Sequence, residues 1–171
     1  MPIVVLLVST LAFWLIYWFV RMGGVDHFRE VSARRKEEAR RAKARTSERT
    51  APLRAIDDPR EAALVLMLLI PRGSDPTRAQ FSAIEETMRV VFGFDADLIE
   101  RLTQARFVAS CAESFDEAVG LFADVFNKRL TADERRELVA MVEKIARIDG
   151  PSHGQTAALE FLQRHVGLAP A

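Results

Sequence analysis

Apolar residues fill all but two positions between Ile3 and Val20, and Arg21 closes the run. Only Ser9 and Thr10 are polar, and in a helix both hydroxyls can bond back to a carbonyl one turn earlier. Eighteen residues without a charge form a helix of roughly 27 Å, close to the hydrocarbon thickness of a bilayer. Trp14, Tyr17, Trp18 and Phe19 crowd its C-terminal end, where aromatic rings favour the lipid–water interface. Nothing basic precedes the run, and bulky Trp18-Phe19-Val20 fills the place where a cleavage site needs small residues, which disfavours a removable signal peptide. The run also lacks the polar face that a core helix of a globular domain shows. The expected element is one transmembrane helix over residues 1–23, with Trp14, Tyr17, Trp18 and Arg21 at the interface.

Beyond Arg21 the pattern inverts. Residues 24–50 are rich in Ala, Arg, Lys and Glu, with no apolar heptad. Glu30 precedes Arg34 by four, and Glu37 precedes Arg41 by four, which supports a solvated helix. Thr46 to Pro52 is expected to be a flexible hinge. From Asp57 onward, helical periodicity is dense. Asp58-Pro59 opens the apolar run Ala62 to Ile70, and Asp75-Pro76 is expected to open the next helix, with Asp75 as its N-cap. That second helix carries Phe81, Ile84, Met88, Val91 and Phe92 inward and ends at Gly93. Asp95 is expected to start a third, through Leu98, Leu102 and Phe107. Ser114 and Glu117 form a capping box before Val119, Phe122, Val125 and Phe126. Thr131 and Glu134 form another before Leu138, Met141, Val142 and Ile145. Ser152 begins a sixth helix, with Ala158, Phe161, Leu162 and Val166 inward and Gly167 at its end. No strand is expected. The fold class is all-α: a transmembrane anchor (1–23), a basic juxtamembrane helix and linker (24–52), and a bundle of six to seven helices (53–171).

The formal net charge of zero hides a split. Residues 21–50 hold ten Lys/Arg against five Asp/Glu, whereas residues 51–171 hold 14 against 19. The basic residues that follow the span place the C-terminal side in the cytosol and the N-terminus outside. Arg34, Arg35, Lys36, Arg40, Arg41 and Lys43 are candidates for contact with anionic lipid headgroups. The acidic body argues against nucleic acid as a partner. A single cysteine, Cys111, excludes an intrachain disulfide and is expected to be a buried, inert thiol.

A shift of 74 positions superposes Leu64, Val65 and Met67 on Leu138, Val139 and Met141, Asp75 on Asp149, Glu86 on Glu160, and Gly93 on Gly167. Each half is a helix, a polar turn containing Asp, and a second helix ending at glycine. Two such αα-hairpins would face each other across a pseudo-symmetric core. Leu130 to Gly150, with Ala146-Arg-Ile-Asp149-Gly150 at its end, and Glu160 to Leu168 with its closing Gly167-Leu168 resemble the TerB-like family, as do Ala62 to Ile70 and Val91 to Phe94. The likeness covers residues 57–168. The family includes tellurite-resistance proteins and the N-terminal part of the membrane-anchored co-chaperone DjlA, but no J-domain follows here. The resemblance implies a cytosolic interaction or scaffold module on a bacterial inner membrane, in envelope or stress response. It also implies divalent metal at acidic residues of the two turns, with Asp149 and Asp75 as the candidates. The chain departs from that pattern where further acids are expected: Gln155-Thr156 follow Asp149, and Gln80 and Ser82 follow Asp75. The plainer roles are a helix-end turn for Asp149-Gly150 and a cap for Asp75.

No other chemistry is written in the chain. His153 and His165 have no ligand spacing for zinc. Adjacent Glu85 and Glu86 point about 100° apart on a helix and cannot act as a carboxylate pair. No phosphate loop or nucleophile elbow occurs. The expectation is a protein that is not an enzyme and has no cofactor other than a divalent metal. Its expected partners are the lipid bilayer, an unidentified protein and a second copy of itself. The alternative is a divalent-cation-responsive sensor.

Overall fold

The computed structural model describes residues 24–71, 75–150 and 152–168. The expected transmembrane span, with Trp14, Tyr17, Trp18 and Arg21, lies outside the described residues. Among those residues, no helix is long and apolar enough to cross a membrane. Every regular element described is a helix, as the periodicity predicts. These are α1 (Gly24–Arg54), α2 (Pro59–Leu69), α3 (Arg78–Val90), α4 (Leu98–Ser110), α5 (Phe115–Arg129), α6 (Ala132–Arg147) and α7 (His153–His165). The chain divides into two compact units, Met1–Glu48 and Arg49–Ala171.

In the first unit, α1 carries its charges into solvent from Arg40 to Glu48. Arg41 pairs with Glu37 one turn earlier, as their spacing predicts. The expected hinge at Thr46 to Pro52 is instead helix, with Pro52 inside the last turn of α1. The reason lies in the second unit, to which α1 belongs from Arg49 onward. Thr50 and Leu53 are buried there, and tertiary contact holds helical backbone that local sequence would release.

The second unit is built around α2. Asp58 caps it by accepting the Arg60 N–H at 2.8 Å, and Pro59 takes the first turn, where a missing N–H is harmless. Seven consecutive residues, Ala62 to Leu68, are then buried. A helix apolar on all sides must be surrounded, and α2 packs against α3, α4, α5 and α6. Phe122 and Phe126 of α5 fill the core beside it, edge to face with centroids 6.2 Å apart. The two hairpins of the repeat, α2–α3 and α6–α7, lie within this unit and meet through α2–α6 and α3–α6 contacts. Both second helices end at a glycine with positive φ, Gly93 at 69° and Gly167 at 70°, a backbone region costly for residues with a Cβ.

Several elements differ from expectation. α3 starts at Arg78 behind Thr77, not behind Asp75, because Thr77 and Gln80 form a reciprocal capping box. α4 starts at Leu98 rather than Asp95. Phe107 is 61% exposed. It lies five residues from Leu102, a rotation of about 140°, and so leaves the stripe of Leu98, Leu102, Ala105 and Val108 that faces the core. Val91, the C-cap of α3, keeps helical φ/ψ and donates its N–H to the Thr87 carbonyl, yet its side chain is exposed. Cys111 is half-buried at the end of α4 rather than fully enclosed.

Candidate functional site

The two polar turns of the repeat converge on one cleft of about 220 Å³, lined by Asp75, Thr77, Gln80, Asp149, Gly150 and Gln155 among others. The structure therefore brings together both acidic residues singled out in the sequence. Thr77 Oγ1 donates to Asp149 Oδ2 at 2.9 Å. Gly150 adopts φ 83°, the left-handed turn expected after α6.

Behind the carboxylates stand two buried amides in matching positions. Gln80 Oε1 accepts the Thr77 N–H at 3.0 Å, and Gln80 Nε2 donates to the Ile145 carbonyl at 3.5 Å. Gln155 Oε1 accepts the Ser152 N–H at 3.0 Å, and Gln155 Nε2 donates to the Ile70 carbonyl at 3.2 Å. Each amide thus caps the helix it begins and ties down the end of the first helix in the other hairpin. Only an amide does both, because an ionised carboxylate accepts and cannot donate. The positions where the family resemblance calls for acids are therefore occupied by amides with defined structural bonds.

The donor set fits Ca²⁺ poorly. Two carboxylates and a hydroxyl fall short of the six to eight oxygens Ca²⁺ takes, and both amide oxygens already accept backbone N–H groups. Among the described residues, no group of three or more His, Cys, Asp or Glu is placed to hold an ion. His153 is exposed at the start of α7. His165, also exposed, stacks on Phe161 with centroids 3.9 Å apart.

A second cluster escaped the sequence altogether. Arg49 donates to Glu117 Oε1 and Oε2 at 2.6 and 2.9 Å, to the Cys111 carbonyl at 2.7 Å, and to Glu113 Oε2 at 3.3 Å. Glu117 also accepts the Glu113 N–H at 2.7 Å, one residue beyond the reach of an ordinary capping box. The Arg49 guanidinium, followed by that N–H, holds the Glu117 carboxyl below its usual value against the opposing effect of burial. The hydrogen bond to Glu117 in turn raises the pKa of Arg49. Partners 68 residues apart leave no local pattern to find. Asp58 differs in kind: burial pushes its carboxyl up, but hydrogen bonds from Arg60 outweigh that and lower it.

Of the headgroup candidates, Arg40, Arg41 and Lys43 are exposed on α1. The side chains of Arg34, Arg35 and Lys36 lie outside the described residues. No family model, curated protein or solved structure matches the chain.

Proposed function

We propose that the chain is a membrane-tethered interaction module of TerB-like type, its helical body on the cytosolic face of a bacterial inner membrane. The observation that carries this is the uncharged run Ile3 to Val20 followed at once by a basic segment. A filled helical core with amides in its central cleft suits a scaffold that presents surfaces rather than transforms a substrate. Tethering raises the local concentration of such a module around membrane partners without demanding tight binding. An envelope or stress-response role follows from the family likeness alone. The test is a pull-down from membranes with the full chain against one lacking residues 1–23. Partners specific to the full chain support a tethered module, and identical partners from both remove the purpose of the tether. Protease added outside spheroplasts must spare the body.

A second reading, a divalent-cation sensor, draws support from Asp75 and Asp149 lining one cleft. Calorimetry of the full chain in detergent with Ca²⁺ or Mg²⁺ decides it. A micromolar isotherm lost in Asp149→Ala favours the sensor, and no heat beyond dilution rejects it.

A further inference from the structure

The exposed face of α4 carries two large apolar side chains among polar ones. Ile99 is 81% exposed and Phe107 61% exposed. They lie eight residues apart on one ridge, about 12 Å along the axis, with exposed Thr103 midway. Two charges flank the ridge on opposite sides. Glu100 lies about 60° to one side of Thr103 and Arg106 about 60° to the other. The neighbouring helices fix those sides independently. Arg106 stacks over Phe81 of α3 at 4.8 Å, while Arg101, beside Glu100, pairs with Glu61 of α2. Among the described residues, neither Glu100 nor Arg106 forms an ion pair.

We propose that this face is a homodimer interface, in which α4 packs parallel to α4 of a second copy along Ile99, Thr103 and Phe107. The charges select the occupant and the direction. A two-fold axis parallel to α4 sets each Glu100 on the same flank as the other copy's Arg106, six positions along. An antiparallel pairing would gather both Glu100 on one flank and both Arg106 on the other, which like-charge repulsion opposes. The row of Ile, Thr and Phe supplies the contact, and the flanking pair supplies its direction. The inference goes beyond the membrane reading and does not depend on it.

Disulfide trapping of the full chain in mild detergent tests it, in a Cys111→Ser background. Identical residues meet all along a parallel seam, so Ile99→Cys and Thr103→Cys both form cross-linked dimers on mild oxidation, whereas Lys128→Cys on α5 does not. Glu100→Arg lowers the Thr103→Cys cross-linking yield about fivefold. Adding Arg106→Glu restores it, which a mere loss of folding would not. Cross-linking at Thr103 without Ile99 overturns the parallel arrangement. Yields at both sites no greater than at Lys128 overturn the interface.

Discussion

Gln155 caps α7 with its oxygen and anchors the Ile70 carbonyl with its nitrogen, while being only 7% exposed. Glu at this position keeps the size and the acceptor but loses the donor, and it sets a buried carboxylate against a carbonyl. Gln155→Glu is expected to lower stability by about 1–3 kcal/mol at neutral pH. Burial raises the pKa of the new carboxyl in the folded state above its unfolded value of about 4.3. The penalty is therefore complete above the raised folded value and fades as pH falls through it, because a protonated carboxyl can donate again. Urea melts of both proteins between pH 7 and pH 4 should show the gap closing. A gap independent of pH would mean that the amide N–H is not what the site requires. Sequence alone brought Asp75 and Asp149 forward as equivalent positions. It gave no sign that Gln80 and Gln155 cross between the hairpins, because each bond joins residues at least 65 apart.

Elements were most legible where their ends carry their own chemistry. Thr131 and Glu134 form the reciprocal box their spacing predicts, with the Thr131 N–H 2.7 Å from Glu134 Oε2. Thr131→Ala is expected to cost about 1 kcal/mol, read as a lower urea midpoint with an unchanged slope. The end of α1 was illegible because a distant partner decides it. Thr46 to Pro52 has the composition of a linker, yet Arg49, Thr50 and Leu53 are held by the body. Arg49→Ala should lower the stability of the body at neutral pH. Glu117 has its pKa lowered from 4.5 by Arg49, so its contribution is complete above that value and is lost as pH falls through the lowered one. The stability difference between wild type and Arg49→Ala should therefore shrink on acidification, and a difference constant from pH 7 to pH 3 would separate Arg49 from Glu117. Phe107 failed for another reason: spacings of three and four identify a helix but do not say where its buried stripe ends.

For the whole molecule, the opposed charges of stem and body bear on how the chain would be held at a membrane. A basic segment of ten Lys/Arg with five acids could hold a protein at anionic lipid unaided, at about 1 kcal/mol for each charge near the surface. Such attraction is screened over about 3 Å at 1 M salt, whereas burial of apolar side chains in hydrocarbon is not. The two sources of affinity thus part under one treatment. If Ile3 to Val20 spans the bilayer, the full chain stays with membranes through a 1 M salt wash and leaves only with detergent. A chain lacking residues 1–23 then binds weakly at low salt and is released as salt rises. If salt alone frees the full chain, the stem is the attachment and the apolar run has another use. Charge reversal at Arg40, Arg41 and Lys43 completes the comparison. It should abolish the residual low-salt binding of the shortened chain and leave the full chain in the membrane fraction.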